Sequence, residues 1–155
     1  MKNVIEDLQK VLNDMEPRIR AIDDDLFSAK PRPDKWSKKE VVGHLIDSAQ
    51  NNLRRFIASR YESRPTIVYE QDFWVNANAY QSASKDDVIR LWRLLNDRIC
   101  AILAAMPSTS YNTQCNTSAG DPDYKTLEWL AADYVRHMKH HMNQVIAGSY
   151  AIKYP

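Results

Sequence analysis

Apolar residues recur at steps of three and four over long segments, and this spacing restricts the fold of the chain more than any other feature. The first such segment extends from Ile5 to Leu26, and its spacing is typical of a long helix. Pro17 lies inside it, so we expect a kink or a division of the helix there. A second stripe begins after the sequence "SKDD" and consists of Val88, Leu91, Leu95, Ile99, Ile102 and Met106. Both patterns predict amphipathic α-helices.

Capping signals predict two further helices. Ser37 precedes Glu40 by three residues, the spacing of a capping box in which each side chain binds the other residue's backbone N–H. The helix that it opens should extend to about Ser59 or Tyr61. Another helix should begin between residues 123 and 126 and end near residue 150.

The connections between these helices are long and irregular in pattern. Residues 62–83 should contain one short helix within "YEQDFWVNANAY", and the loop after Pro107 should contain a short hairpin with Tyr111, Thr113 and Cys115. Only three glycines occur in 155 residues, which argues against a fold with many tight β-turns. We therefore predict an all-α four-helix bundle, formed as a single domain by residues 1–155, in which two long connections allow crossovers.

Charge and composition exclude several classes of protein. A formal net charge of +1 provides no field that would attract nucleic acid or an anionic membrane. Two cysteines are too few for a disulfide framework, and the start of the sequence lacks the apolar region of a signal peptide. No segment is apolar enough to span a membrane. We therefore expect a cytoplasmic protein.

The histidines suggest a metal site. His137 and His141 are four residues apart near the core face of the last helix, a spacing at which two imidazoles can share one ion. His140 falls on the flank of that helix. A catalytic metal site usually needs a third protein ligand, and His44 is the remaining histidine. On a helical wheel His44 lies about 150° from the apolar centre of its own helix, so the three can meet only in a groove at the edge or end of the bundle.

Other readings of these residues stay open. The histidines can be incidental surface or packing residues of a helical protein. Asp47, one turn after His44, is a candidate general base or a hydrogen-bond partner of a ligand. The aromatic residues Tyr69, Phe73, Trp74 and Tyr80 lie in the long connection, where they either pack or form a wall of a pocket. The basic run "NNLRRFIASRYESR" is interpreted as one face and the end of a helix.

Two motifs resemble those of a known family. Residues 36–48, "WSKKEVVGHLIDS", and residues 133–145, "DYVRHMKHHMNQV", together resemble the DinB/YfiT-like superfamily of metal-dependent enzymes. The family pattern is a Trp-Ser-x-x-Glu helix start with a histidine eight residues after the tryptophan. It is paired with a late helix that carries H-x-x-H-H-x-x-Q. The resemblance covers nearly the whole chain.

The resemblance implies a bundle of up-down-down-up topology and a divalent ion, zinc or nickel. By motif position the ligands are His44, His137 and His141, whereas His140 corresponds to a histidine that does not bind the ion. Some relatives are transferases or isomerases that use a low-molecular-weight thiol such as glutathione, mycothiol or bacillithiol, and many others are called hydrolases.

We therefore expect a metal-dependent hydrolase or thiol-dependent transferase that acts on a small molecule. The alternative is a metal-binding or stress-response interaction protein without turnover. Relatives often form dimers, and Trp92 and Trp129 occupy helix positions where exposed aromatic surface could form an interface. We therefore also expect a homodimer.

Overall fold

Four long α-helices dominate the structure, a computed structural model that describes residues 1–154. They are α1 (Lys2–Arg20), α3 (Lys38–Ala58), α5 (Lys85–Ala104) and α6 (Leu127–Val145). Two short helices, α2 (Asp24–Ser28) and α4 (Gln71–Ala77), and two single turns of 3₁₀-helix lie in the connections. Strands β1 (Gln114–Asn116) and β2 (Tyr124–Thr126) pair antiparallel.

Contacts between α1 and α6 show that these helices are parallel. Lys139 Nζ of α6 lies 2.7 Å from Asp7 Oδ2 of α1, and Arg18, eleven residues further along α1, lies 3.0 Å from Ser149 Oγ, ten residues further along the chain after Lys139. Residue numbers therefore rise together along the two elements.

The remaining contacts complete the topology. Arg20 at the end of α1 pairs with Asp86 at the start of α5 at 2.6 Å, so these helices are antiparallel. Lys39, at the start of α3, donates to Ala83 O just before α5 at 3.0 Å, so α3 and α5 are parallel. The order is up-down-down-up, and the predicted four-helix bundle is confirmed. Residues 59–84 and 105–126 form the two long connections, the first of which returns the chain between parallel helices.

The first helix differs from the prediction in its end and in its buried face. It continues without interruption through Pro17 and ends at Arg20. Only three helical residues follow Pro17, so the proline lies in the last turn of the helix. The chain divides at residues 21–23, where the side chain of Asp23 caps α2. Leu26, which the periodic pattern assigned to the core, is 56% exposed, and Phe27 is buried in its place.

The buried face of α5 was also predicted only partly correctly. Leu91 is 44% exposed, whereas Ile89, Trp92 and Cys100 are buried. The complete burial of Trp92 contradicts the expectation that its ring could form exposed surface. The helix has apolar residues on more than one face, and its packing against both α1 and α3 selects the face that is buried.

The predicted hairpin exists, but Cys115 is the only one of its three expected residues that lies in a strand. Cys115 pairs with Lys125 across the two strands, and the loop residues 117–123 connect them. Tyr111 and Thr113 precede β1. The last helix begins after its cap Thr126, as predicted, and ends at Val145, five residues before the predicted end. None of the described helices is long and apolar enough to cross a membrane.

Candidate metal centre

The start of α3 is fixed by the residues that the sequence identified. Ser37 Oγ accepts from Glu40 N at 3.1 Å, and Glu40 Oε2 accepts from Ser37 N at 2.7 Å, so the capping box is present. Lys30 lies 2.9 Å from the other carboxylate oxygen of Glu40. The cap fixes the rotation of the first turn and therefore the side from which His44, seven residues later, leaves the helix.

The structure brings His44, His137 and His141 together. One ring nitrogen of each lies within 4.8 Å of those of the other two, and the Nε2 atoms of His44 and His137 are 3.2 Å apart. His44 is 1% exposed, and the other two are half-buried. His44 therefore points into the bundle against Trp36, whose ring centroid is 4.9 Å away. The helical wheel placed His44 far from the apolar centre of α3. The face of α3 that carries His44 is nevertheless covered, by α6 and by residues 21–36.

Burial keeps the imidazoles neutral. It lowers the pKa of His44 to about 3, with a further contribution from His141, and lowers the pKa of His137 to about 2, again with the neighbouring histidines adding to the effect. The pKa of His141 is lowered by burial as well. A neutral imidazole is the form that binds a metal ion, so this environment favours ligation over protonation.

The geometry of the cluster fits a divalent ion. Two nitrogens bound at about 2.05 Å to one tetrahedral zinc ion lie about 3.3 Å apart, close to the 3.2 Å between His44 and His137. His141 Nδ1 lies 3.0 Å from Gln144 Oε1, which places its ring proton on Nδ1 and leaves the Nε2 lone pair available. A carbonyl partner of this kind orients a metal-binding histidine. The donor set contains nitrogen only, which suits zinc or nickel.

Two neighbouring residues do not join the cluster. His140 Nε2 lies 3.4 Å from Gln144 Nε2, and its ring packs 5.4 Å from that of Tyr154, on the flank that the wheel indicated. Asp47 is fully buried and binds the connection instead: its Oδ1 accepts from Tyr80 Oη at 2.6 Å and from Asn78 Nδ2 at 3.0 Å. Its Oδ2 is buried without a partner among the described residues.

Two cavities reach the cluster. The first, which we call the wide cleft, has a volume of about 700 Å³ and is lined by His141, Gln144, Trp36 and residues of the 26–41 and 71–72 segments. The second, the polar cavity, has a volume of about 170 Å³, and His137 and Tyr154 are among the residues that line it. The cluster is therefore accessible from two sides although His44 is buried.

The aromatic residues of the long connection have different roles. Tyr69 lines the polar cavity, and the ring of Trp74 packs against it at a centroid distance of 5.6 Å. Tyr80 is buried and hydrogen-bonds Asp47, whereas Phe73 is 71% exposed. Only part of this segment therefore contributes to a wall of the site.

Sequence reasoning missed the most unusual residue near the site. Arg55, which was assigned to a basic helix face, is buried and lines the polar cavity. Its neighbour Arg54 is exposed as expected. The signal was present in the spacing, because a separation of eleven residues is about three helical turns and places Arg55 on the same face of α3 as His44.

Comparisons with known proteins agree with this fold. A family model described as the DinB superfamily matches residues 7–145. "Putative metal-dependent hydrolase YfiT" of Bacillus subtilis (strain 168) is 27% identical over 145 residues, which cover 91% of this chain and 79% of the relative. A protein of Bacillus mycoides (strain KBAB4) with the same type of name is 21% identical over 142 residues, which cover 91% and 82%.

Solved structures show the same architecture. The structure of YfiT from Bacillus subtilis, described as a probable metal-dependent hydrolase with an unusual four-helix bundle topology, aligns with a TM-score of 0.83 at 24% identity over 93% of this chain and 82% of that one. A mycothiol-dependent maleylpyruvate isomerase aligns with a TM-score of 0.71 at 8% identity over 91% of this chain and 59% of that one. At these identities the likeness establishes the fold.

Proposed function

This chain belongs to the DinB superfamily, and from that membership we propose that it is a metal-dependent enzyme that acts on a small molecule. The observation that carries the proposal is the convergence of three neutral histidine nitrogens within 4.8 Å of one another, beside two cavities. The relatives named as metal-dependent hydrolases support it.

We assign His44, His137 and His141 as the ligands of a zinc or nickel ion. Three protein ligands leave a position for water or substrate, as in catalytic rather than structural sites. When bound, such an ion lowers the pKa of a coordinated water or thiol and so supplies a nucleophile near neutral pH. Hydrolysis and thiol transfer both need this chemistry.

The surrounding residues provide orientation and shielding. Gln144 holds the Nδ1 proton of His141, and Trp36 covers His44 on the side of the wide cleft. The wide cleft lies within the size range of small-molecule sites and could admit a low-molecular-weight thiol. The polar cavity would then receive the second reactant.

Asp47 stays a candidate for proton transfer. Burial raises the pKa of its carboxyl group to about 6, against a smaller opposing effect of the hydrogen bond from Tyr80, so its Oδ2 can hold or release a proton near neutral pH. If Asp47 acts as a base, Asp47→Asn should remove the acidic limb of the pH–rate profile. If it only positions Tyr80 and Asn78, the shape of the profile should persist at a reduced rate.

A two-part experiment tests the proposal. Protein purified without a histidine tag is first analysed for metal content, and we expect about one zinc or nickel ion per chain. The metal-loaded protein is then screened against esters, amides and epoxides, with and without low-molecular-weight thiols. Turnover should occur in the wild type and be abolished in His141→Ala. Turnover that persists in this variant would show that the active site lies elsewhere, and a metal-free wild type that cannot be loaded would refute the metal centre.

A further inference from the structure

Arg55 is buried without an acidic partner. It is 9% exposed, and no carboxylate lies within 4.0 Å of its guanidinium group among residues 1–154. Arg93 and Arg136, which are more exposed, both have such a partner. A buried charge is costly unless it is paired, and a guanidinium group keeps its charge at every physiological pH. The position of Arg55 therefore calls for an anion.

The hydrogen bonds of Arg55 leave part of the guanidinium group free. Nε and Nη2 both donate to Ile67 O, at 3.1 and 2.8 Å, and Nη1 donates to Asn52 Oδ1 at 3.3 Å. Of the five N–H groups of an arginine, one on Nη1 and one on Nη2 have no acceptor among the described residues. Two N–H groups on the terminal nitrogens form the fork that binds a carboxylate.

The other charges that line the polar cavity are already paired. Lys125 lies 2.9 Å from Asp123. Asp133 accepts from Tyr154 Oη at 3.0 Å and lies 4.0 Å from Arg136. Arg136 lies outside the cavity, so Arg55 is the one cation of the lining that has no carboxylate within ion-pair distance among the described residues.

No other ionisable group in contact range supplies the missing anion. Burial raises the pKa of the Cys115 thiol and that of the Tyr69 hydroxyl, so both are neutral at physiological pH. Asp133 is the one carboxylate among the groups that act on the pKa of Arg55, and it already accepts from Tyr154 and lies 4.0 Å from Arg136.

The floor of the cavity connects Arg55 with the histidine cluster. Ser48, Asn52 and Arg55 follow His44 on α3 at steps of four, four and three residues and line the polar cavity, so they form one continuous face. His137 lines the same cavity. The distance along the helix axis from His44 to Arg55 is about 16 Å. The arginine side chain is longer than that of histidine and leans towards the N-terminus of α3, so it covers part of this distance.

We propose that the polar cavity binds the carboxylate group of a small organic acid through Arg55, with the opposite end of the molecule directed to His137. This inference rests on the proposed function and deepens it, because it names the substrate class of the same site. Ser48 and Asn52 provide uncharged polar contacts along the molecule, and the volume of about 170 Å³ restricts the acid to a short one.

Binding of a short acid and of its neutral amide to metal-free protein tests the inference. The probes are butyrate and butyramide, which have nearly the same shape and differ in charge, and the protein is treated with a chelator so that a metal ion cannot bind the carboxylate. We expect the wild type to bind butyrate about tenfold or more tightly than butyramide, because a charge-assisted hydrogen bond is lost with the amide. Ligand-observed NMR titration measures both affinities.

Two variants on the same helix turn make the test specific. Arg55→Met should remove the preference for butyrate, whereas Arg54→Met, at the exposed neighbouring position, should keep it. Equal affinities of the wild type for the two probes, absence of butyrate binding to the wild type, or an unchanged preference in Arg55→Met would each overturn the inference. A preference lost in Arg54→Met would assign the binding to the surface and overturn it as well.

A purely structural role of Arg55 predicts a different result. In that case its bonds to Ile67 O only hold residues 61–69 against α3, and Arg55→Met loses stability without any change in ligand preference. Because this variant could also fail to fold, the wild type provides an independent readout. The side-chain Nε–H resonance of Arg55 in ¹H–¹⁵N spectra should shift on addition of butyrate and stay in place with butyramide. An unshifted resonance with butyrate would overturn the inference whatever the variants show.

The design separates this inference from the proposed function. Metal content is measured on tag-free wild type, and butyrate binding is measured on metal-free protein. A wild type without metal that still prefers butyrate would refute the metal centre alone. A wild type with one ion per chain that binds both probes equally would refute the carboxylate site alone.

Discussion

At the scale of single residues, the three histidines can be tested one by one. We expect His137→Ala to weaken metal binding by about tenfold or more, because one of three nitrogen ligands is lost. His140→Ala should leave metal content nearly unchanged, since His140 lies outside the group of converging nitrogens. Elemental analysis after dialysis measures both. Equal metal content in the wild type and His137→Ala would contradict the ligand assignment. A loss of metal in His140→Ala as large as that in His141→Ala would mean that the ligand role was assigned to the wrong one of these two adjacent histidines.

Gly43 must lack a side chain because the ring of Tyr80, which is distant in sequence, packs against it. A Cβ atom at this position would lie 2.2 Å from Tyr80 Cδ2, so the absence of a side chain allows the ring to pack on α3 and to reach Asp47. We expect Gly43→Ala to lower the free energy of unfolding by about 1–3 kcal/mol, because the ring must move. Urea denaturation measures the change.

The control for this substitution is Gly120→Ala. There the new Cβ would meet only Ser118 Oγ, at 3.9 Å, so the free energy of unfolding should change little. A Gly43→Ala variant as stable as Gly120→Ala would show that Tyr80 does not need this contact.

At the scale of elements, the N-terminal caps of α3 and α5 differ in their surroundings. Ser37 is fully buried, caps α3 and also donates to Gln81 Oε1 at 2.8 Å, whereas Ser84 caps α5 at an exposed position. We expect Ser84→Ala to lower the free energy of unfolding by about 1 kcal/mol. Ser37→Ala should cost more, because it also leaves a buried backbone N–H and the amide of Gln81 without their partner.

Denaturant titration of the two variants side by side provides the measurement. The metal affinity of Ser37→Ala should also decrease, since the cap fixes the turn from which His44 projects. Equal losses of stability for both serines would show that the cap of α3 has no more than the usual effect.

At the scale of the whole molecule, the buried histidines should make the metal-free protein sensitive to acid. The pKa values of His44 and His137 are lowered from 6.5 to about 3 and about 2 in the folded protein. Below about pH 6.5 the unfolded chain therefore binds protons that the folded protein does not, and stability decreases as the pH falls. Asp47, whose pKa is raised from 3.8 to about 6, has the opposite effect, but it is one group with a smaller shift.

Thermal unfolding of chelator-treated protein between about pH 7 and about pH 4 checks this expectation. The Tm should fall with pH, and His137→Asn should flatten the dependence, because it removes one of the groups that resist protonation. A Tm that stays constant or rises on acidification would mean that the histidines are hydrated.

Assembly is a second property of the whole molecule. Trp92 no longer supports the expected homodimer because it is buried, but Trp129 is 43% exposed and Leu94 on α5 is 61% exposed. Exposed apolar surface of this kind often marks an interface, so a dimer stays our prediction. Light scattering at tens of micromolar should show it, and Leu94→Glu tests the contribution of the α5 face. A monomer at that concentration would contradict the prediction.

The sequence by itself determined the elements whose signals are local. Helix positions followed from periodic apolar residues, and the start of α3 followed from Ser37 and Glu40, because a capping box joins residues only three positions apart. The pairing of His137 with His141 was equally local, since residues four positions apart share one helix face. These signals are complete within one or two helical turns, so neighbouring elements cannot change them.

Only the tertiary structure decided which faces are buried and what the buried polar residues contact. Trp92 is buried and Leu91 is exposed, the reverse of what the sequence suggested, because α5 packs between α1 and α3. Asp47 binds Tyr80 across 33 positions, and Arg55 is covered by a connection that carries Ile67. Partners so far apart in sequence depend on the up-down-down-up arrangement and on the path of residues 59–84. A helical wheel contains neither, because it describes one helix in isolation.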